Sequence, residues 1–209
     1  MYKHFIKRII DIIGSLCGIV VLAIPMAVIA ILIKAEDPGS PIFKQKRVGQ
    51  KKHGEITYFE LYKFRSMKLS TPHDIPTHQL DNPEQYILKC GKFIRKYSLD
   101  ELPQMFNILK GDMAIIGPRP ALWNQDDLVA EREKYKANDC KPGLTGWAQI
   151  NGRDELEIPV KAKYDGEYAA KESFIMDARC FLGTIFKVFR AEGVVEGGTG
   201  EMNKKWRRY

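Results

Sequence analysis

The chain has 209 residues, 44% of them hydrophobic and 28% charged, which is enough for one domain with a buried core and too few for two large ones. Its 33 Lys and Arg against 26 Asp and Glu give a net charge of +7, which suits anionic lipid headgroups, a polyphosphate ligand or a nucleic acid without choosing among them. The four cysteines have no CxxC spacing, so neither a zinc site nor a disulfide framework is indicated, and a reducing cytoplasm is expected.

A long apolar segment lies near the start of the chain. No residue between Ile12 and Ile33 is charged, and a helix of this length reaches roughly 33 Å, the thickness of a hydrocarbon core. The run is longer than the apolar part of a signal peptide, and no small-x-small cleavage site follows it. The sequence therefore predicts a membrane segment rather than a cleaved leader.

Charge and Pro25 indicate how this segment meets the membrane. Positive residues mark the cytoplasmic side, and both flanks are basic, with Lys7 and Arg8 before the segment and Lys34 after it. Pro25 has no N–H and its ring clashes with the carbonyl four residues earlier, so it kinks or breaks the helix. This favours a re-entrant helix that returns to the same face; a kinked helix that spans the membrane is the alternative. Arg8 is also spaced to pair with Asp11.

The rest of the chain alternates strand-like and helical stretches. Ile42–Val48 and Ile56–Phe64 predict a β-hairpin. The elements predicted after it are a loop over Leu69–Pro83, a helix over Glu84–Tyr97, a helix from Ser98 to Leu109 that ends at Gly111, a strand over Met113–Ile116, a helix over Ala121–Asn138, a loop over Lys141–Arg153 and an amphipathic helix over Phe174–Ala191. The last helix either lies on a membrane surface or packs into a core.

Two adjacent carboxylates, Asp100 and Glu101, form the first candidate site. A structural interpretation is available, because Ser98 at a helix N-cap and Glu101 three residues later form a capping box. The functional interpretation is that neighbouring carboxylates repel each other and differ in pKa, so that one acts as a nucleophile and the other as a base. A carboxylate of this kind also holds Mg²⁺ together with substrate phosphates.

Basic residues in two further motifs are candidates for anion binding. Arg119 lies in a rigid Gly-Pro-Arg-Pro sequence, and the planar fork of arginine binds phosphate through two hydrogen bonds. The alternative is a structural turn with a solvated arginine, and composition alone does not decide between them. The motif Tyr62–Met67 puts Lys63 and Arg65 on one face of a strand, where they either contact an anion or are solvated. The glycines of Lys141–Gly146 and Asn151–Arg153 permit a close backbone approach to a ligand. The four histidines form no ligand-like cluster.

Taken together, these motifs resemble those of bacterial sugar transferases, specifically the small monotopic phosphoglycosyl transferases (PglC-like). The matching stretches follow one order over nearly the whole chain: Lys7–Asp11, the segment around Pro25, Tyr62–Met67, Ser98–Gln104, Leu109–Met113, Gly117–Pro120, Pro142–Gln149 and Asn151–Arg153. The chain departs from the family at Ile24, where a serine often precedes the helix-breaking proline and its hydroxyl can satisfy a freed backbone group.

The resemblance implies an α/β fold: a small mixed α/β cytoplasmic domain over residues 37–209, with an N-terminal, proline-broken re-entrant membrane helix over residues 1–36 and amphipathic interfacial helices. It implies a location on the cytoplasmic face of the bacterial inner membrane. The implied partners are a UDP-sugar, polyprenyl (undecaprenyl) phosphate and inner-membrane lipids, with no nucleic acid, and a homodimer is compatible with it.

By the same analogy, Asp100 attacks the β-phosphorus of the UDP-sugar and releases UMP, and polyprenyl phosphate then attacks the resulting phosphosugar-enzyme intermediate. Glu101 deprotonates or positions the acceptor, and Mg²⁺ at Asp100 neutralises phosphate charge. The candidates for binding the nucleotide sugar are Arg119 and Arg153, followed by Lys63 and Arg95. The roles of nucleophile and base are open to reversal, because sequence order does not fix geometry.

Two other functions remain as alternatives. A non-enzymatic, membrane-anchored module that binds anionic lipid or nucleic acid explains the charge and the apolar segment, but gives no reason for the acidic pair or the glycine-rich loops. A glycosyltransferase would release UDP instead of UMP and commonly carries a D-x-D metal motif. The pair Asp126-Asp127 lies in a charged helical stretch and is a poor candidate for that motif.

Overall fold

The computed structural model describes residues 2–71, 82–152 and 156–190. The helices are α1 (Lys7–Val21), α2 (Ala23–Glu36), α3 (Lys89–Lys96), α4 (Gln104–Lys110), α5 (Asp126–Glu133), α6 (Trp147–Ile150), α7 (Ile158–Lys171) and α8 (Phe174–Arg190). The strands are β1 (Ile42–Lys52), β2 (Glu55–Phe64), β3 (Ala114–Ile116) and β4 (Gly143–Thr145). Strands β1 and β2 pair antiparallel, and β3 and β4 pair parallel. The predicted small mixed α/β domain is confirmed.

The apolar segment forms two helices that meet at a sharp bend. Helix α1 ends at Val21 and α2 begins at Ala23, with an angle of 61° between them. The break lies one turn before Pro25, whose ring would clash with the Val21 carbonyl in a continuous helix. In the part of the chain that the structure describes, no single helix is long and apolar enough to cross a membrane, whereas the bent pair together has the required length and composition.

Polar side chains of α1 tie this segment to the rest of the chain. Arg8 donates hydrogen bonds to the carbonyls of Ile108 (2.6 Å) and Leu109 (2.8 Å), the last turn of α4, where a cation is favoured. Asp11 accepts a hydrogen bond from the N–H of Ile115 at 2.8 Å. The predicted Arg8–Asp11 pair is therefore wrong, because each side chain satisfies backbone groups of a distant segment instead.

The β-hairpin is confirmed, and its turn explains its register. His53 and Gly54 join the strands with positive φ angles of 51° and 87°, which is the conformation of a type I′ turn that matches the right-handed twist of the strands. Phe64, at the end of β2, joins a buried cluster with Met26, Ile29 and Ile33 of α2 and with Leu88 and Ile94. Helix α2 therefore packs on the hairpin and α3, directly beside the segment that carries the acidic pair.

Several predicted boundaries are wrong, because pairing with distant segments overrides local periodicity. Ile87 has helical spacing in the sequence, but it bridges to Met67 as an extended residue, so α3 begins at Lys89. Of the predicted helix over Ala121–Asn138, only Asp126–Glu133 is α-helical. The predicted loop after Lys141 contains β4 and α6.

Helix α7 was not predicted at all, although Pro159 in its first turn is a recognised start signal. The predicted loop over Leu69–Pro83 lies largely outside the described residues.

The predicted amphipathic helix is confirmed as α8, and it has two distinct faces. Met176 and Cys180 are buried against β3 and α7. The large apolar residues that stay exposed are Phe174, Ile175, Phe181, Leu182, Ile185 and Phe186. Asp177, also on the buried face, forms an ion pair with Lys7 and accepts a hydrogen bond from Tyr168 at 2.7 Å. This network fixes the start of α1 against α8.

Candidate active site

The acidic pair lies on a short 3₁₀ turn, Leu99–Glu101, between α3 and α4. Ser98 precedes it in a left-handed conformation with φ at 56°, and its side chain makes no capping hydrogen bond. The structural interpretation of the motif as a capping box is therefore wrong. The tight turn instead directs two consecutive carboxylates into the interior, where Glu101 is only 8% exposed.

Two cations hold the Glu101 carboxylate. Arg119 donates two hydrogen bonds, Nη2 to Oε1 at 2.7 Å and Nη1 to Oε2 at 3.3 Å, and Lys63 Nζ donates to Oε1 at 2.9 Å. Burial works against the charged form, but Arg119 and Lys63 together hold the pKa of Glu101 well below its usual range. Glu101 is thus an ionised carboxylate and a weak base.

Asp100 has a different environment. Among the described residues, the cation closest to its carboxylate is Lys63, whose Nζ lies 4.0 Å from Oδ2. None of the described residues donates a hydrogen bond to the Asp100 carboxylate. Burial raises the pKa of Asp100; Lys63 opposes the rise and the Glu101 carboxylate adds to it, while Arg95 and Arg119 lower the pKa by smaller amounts. Asp100 is therefore a desolvated carboxylate with free lone pairs, which is the state expected of a nucleophile.

The loop that carries Arg119 is pinned from several sides. Arg132 donates from Nη2 to the Arg119 carbonyl at 2.9 Å, and Arg47 donates from Nη1 to the Pro120 carbonyl at 3.0 Å. The Gly117 N–H bonds the Thr145 carbonyl of β4 at 2.8 Å. A Cβ at Gly117 would overlap the backbone of Lys141, so only glycine permits this approach. The loop therefore presents Arg119 from a rigid backbone.

Asn107 positions Lys63 relative to the acidic pair, a role that sequence reasoning missed. Its side-chain amide accepts from the Tyr62 N–H (2.9 Å) and donates to the Glu60 carbonyl (2.7 Å), so it pairs with the free edge of β2 as a strand would. Asn107 is fully buried on α4, which follows the acidic turn directly. A buried asparagine shortly after the acidic pair was the available signal, since buried amides require partners.

The structure brings together four of the predicted site residues and separates one neighbour from them. Asp100, Glu101, Lys63 and Arg119 form one cluster, and Arg95 is close enough to lower the pKa of Asp100. Arg65, predicted on the same strand face as Lys63, instead pairs with Asp37 and donates to the Ser40 carbonyl at 2.9 Å. Arg153 lies outside the described residues.

The donor set limits how a metal ion binds here. No group of three or more His, Cys, Asp and Glu side chains suited to a metal occurs within residues 2–71, 82–152 and 156–190. Glu101 is already occupied by two cations, which leaves the Asp100 carboxylate. This arrangement fits Mg²⁺, which commonly binds one or two carboxylates and completes its shell with substrate phosphates and water.

Comparison with known proteins places the chain in a family. Residues 2–191 match the model of a family described as bacterial sugar transferase. The chain belongs to the bacterial sugar transferase family. The resemblance seen in the sequence motifs is thereby confirmed, and so, at the level of the family, is the expectation of a transferase.

Three individual proteins illustrate what the chain is similar to. The chain is 38% identical over 194 residues to an uncharacterized sugar transferase, EpsL, of Bacillus subtilis, and the match covers 90% of both chains. It is 35% identical to the UDP-glucose:undecaprenyl-phosphate glucose-1-phosphate transferase of Escherichia coli, covering 90% of this chain and 41% of that one. It is 36% identical to the UDP-N-acetylgalactosamine-undecaprenyl-phosphate N-acetylgalactosaminephosphotransferase of Aeromonas hydrophila, covering 90% and 45%. The chain thus spans less than half the length of the latter two.

Proposed function

We propose that this protein transfers a sugar 1-phosphate from a UDP-sugar to polyprenyl phosphate, through a covalent intermediate on Asp100. The observation that carries the proposal is the asymmetry of the acidic pair. Glu101 is neutralised by Arg119 and Lys63, whereas Asp100 is desolvated and is approached no closer than 4.0 Å by Lys63. The named substrates of the Escherichia coli and Aeromonas hydrophila relatives support the same chemistry.

The first step forms a bond between an Asp100 oxygen and the β-phosphorus of the UDP-sugar. The bond from that phosphorus to the bridging oxygen breaks, and UMP leaves with the electron pair. In the second step an oxygen of polyprenyl phosphate attacks the same phosphorus, and the Asp100 carboxylate leaves. Splitting the transfer avoids bringing two anionic substrates together at once, and carboxylates are established acceptors of phosphoryl groups.

Glu101 acts in this scheme by positioning cations. A dianionic acceptor phosphate has no proton on its attacking oxygen, so the low pKa of Glu101 is no obstacle to the second step. Its bonds hold Arg119 and Lys63 beside Asp100, where their positive charges would stabilise the negative charge of the substrate phosphates. Mg²⁺ bound through Asp100 and the substrate phosphates would neutralise part of the phosphate charge.

An apolar groove on the face of β2 that carries Tyr62 and Phe64 supports a lipid acceptor. A cavity of about 800 Å³ lies between α2, the hairpin and α4, and its lining includes Ile19, Met26, Phe64, Pro103, Phe106 and Leu109. Pro103, which lines the groove, follows Glu101 by two residues, so the groove and the acidic turn are neighbours along the chain. Lys44 and Lys110 also line the groove, so an isoprenoid chain would lie along apolar side chains with cations near its phosphate.

The exposed apolar residues at the bend between α1 and α2 support attachment to the cytoplasmic face of the inner membrane. Val20, Val21 and Ile24 at the bend are 68%, 74% and 77% exposed, and such exposure of several large apolar residues at one bend is costly in water. Both ends of the bent pair carry the basic residues expected on the cytoplasmic side. A re-entrant pair, inserted at its bend and flanked by the exposed face of α8, accounts for these features together.

The test is a nucleotide-release assay on purified protein in nanodiscs. The protein is incubated with Mg²⁺, polyprenyl phosphate and a panel of UDP-sugars, and UMP and UDP are measured separately. The proposal predicts UMP from the wild type and from the control Asp126→Asn, which removes an exposed carboxylate on α5, and none from Asp100→Asn. UDP in place of UMP would show a glycosyltransferase. A folded protein that releases no nucleotide but binds anionic lipid or nucleic acid would show the non-enzymatic module.

A further inference from the structure

A second cavity, lined by polar and charged side chains, lies at the opposite end of α1 from the bend. It has a volume of about 570 Å³ and is bounded by the start of α1, the end of α7 and the segment before β4. Five basic and three acidic side chains line it. Its lining includes none of the residues of the acidic pair, Lys63, Arg95 or Arg119, so the cavity is separate from the candidate active site.

Lys141 is the unusual residue of this cavity. It is half-buried, and its ammonium group has no hydrogen bond or ion pair with any described residue. Burial lowers the pKa of Lys141, and the positive charge of Arg8 lowers it further, against a smaller opposite effect of Asp11. A desolvated ammonium beside a second cation is an unfavourable arrangement that a bound anion would relieve.

Two other lysines of the cavity already form ion pairs with carboxylates. Lys3 pairs with Glu172 at 3.3 Å, and Lys7 pairs with Asp177. Arg8 donates its hydrogen bonds to backbone carbonyls, which do not neutralise its charge, and it forms no ion pair with a carboxylate of the described residues. Asp11, which also lines the cavity, interacts electrostatically with Lys7, Arg8 and Lys141. Asp11 offsets part of the charge of Arg8 and Lys141, and one net positive charge remains between these three side chains, inside a cavity large enough for a phosphate group and its substituents.

We infer that this cavity binds a phosphate group, and that its source is the headgroup of an anionic phospholipid. Lys3, Lys7 and Arg8 lie immediately before the apolar segment, at the depth where lipid phosphates lie if the bent pair is inserted in a bilayer. A phosphate held there by Lys141 would fix the start of α1 at the membrane surface. The inference rests on the proposed membrane insertion and is independent of the transfer reaction.

Ligand-dependent thermal stability tests this site without any activity readout. Purified full-length protein in an uncharged detergent is titrated with short-chain phosphatidylglycerol, with short-chain phosphatidylcholine and with inorganic phosphate. A ligand that binds the folded state alone raises Tm with its concentration. Phosphatidylglycerol is expected to raise Tm more than phosphatidylcholine, both in the wild type and in Lys163→Gln, which removes an exposed lysine of α7.

Lys141→Gln is expected to need at least about tenfold more phosphatidylglycerol for the same rise, because a charge-assisted hydrogen bond is lost. Lys141→Arg is expected to keep most of the response. Amine labelling of the wild type, read by mass spectrometry, tests the site without relying on the folding of any variant. Phosphatidylglycerol is expected to protect Lys141, and not Lys163, from the amine-reactive label.

The alternative outcomes are distinct. Inorganic phosphate that produces the same Lys141-dependent rise and protection would overturn the lipid source and assign the site to free phosphate. Equal responses of Lys141→Gln and Lys163→Gln, with no protection of Lys141 by either ligand, would overturn the site itself. Either result leaves the proposed transfer reaction untouched, since UMP release is measured separately.

Discussion

Replacing Arg132 with methionine should leave the buried Asp165 carboxylate without its partner, behind the loop that carries Arg119. Arg132 and Asp165 are 3% and 1% exposed, and the Nε and Nη2 of Arg132 donate to Asp165 Oδ2 at 2.8 and 2.6 Å. Removing one partner of such a pair costs about 3–5 kcal/mol. The double variant Arg132→Met/Asp165→Leu also removes the unpaired carboxylate, and should recover most of the lost free energy of unfolding.

The loss should also depend on pH. Burial raises the pKa of Asp165 even with Arg132 present, and Arg132 opposes the rise. Without Arg132, the folded state binds a proton on Asp165 more tightly than the unfolded state, whose aspartate titrates near about 3.9. Protonation therefore favours folding, so the deficit of Arg132→Met is largest at neutral pH and shrinks as the pH falls through the raised pKa.

Urea unfolding followed by tryptophan fluorescence measures both effects. The wild type, the single variant and the double variant are compared at neutral and mildly acidic pH in the same detergent. Equal free energies of unfolding for the single and double variants, or a deficit in Arg132→Met that does not change with pH, would show that no buried, unpaired Asp165 carboxylate causes the loss. The backbone of Arg119 also loses a hydrogen bond in both variants, so UMP release should fall in each of them.

Three shorter predictions concern other parts of the molecule. Because Lys63 lowers the pKa of Asp100, Lys63→Gln should move the acidic limb of the pH–rate profile to higher pH; an unmoved limb would show that Asp100 is not the titrating group. Pro25→Ala restores the missing N–H, so the bend between α1 and α2 should decrease, which spin-label distances between the two helix ends would detect. Gly117→Ala should lower the free energy of unfolding by roughly 1–3 kcal/mol because the new Cβ overlaps the backbone of Lys141; an unchanged Tm would contradict this close contact between Gly117 and Lys141.

The sequence predicts best those features that depend on neighbouring residues. Asp100 and Glu101 are adjacent, so their mutual repulsion is visible without a structure. The helix end at Gly111 is confirmed, with φ at 97°, because a left-handed C-terminal position selects glycine. The break near Pro25 follows from the missing N–H in the same way.

The sequence predicts poorly those features that depend on distant partners. Lys7 is buried because it contacts Asp177 and Tyr168, which lie 170 and 161 residues away, whereas the sequence identified it only as part of the basic flank of the apolar segment. Arg65 and Lys63 look equivalent on one strand, but Arg65 is held by Asp37. The asymmetry between Asp100 and Glu101 arises in the same way, since it depends on which cations the folded chain brings to each carboxylate.

The proposed mechanism requires that Asp100 becomes covalently attached to the phosphosugar. The direct measurement is the intact mass of the protein after incubation with Mg²⁺ and the UDP-sugar that gives UMP, in the absence of polyprenyl phosphate. We expect a mass increase equal to the sugar phosphate in the wild type and in Asp126→Asn, located on Asp100 by peptide analysis and lost when polyprenyl phosphate is added. An adduct that forms in Asp100→Asn and is absent in Glu101→Gln would reverse the roles of the two carboxylates, and UMP release that requires the acceptor and leaves no adduct would contradict the covalent mechanism.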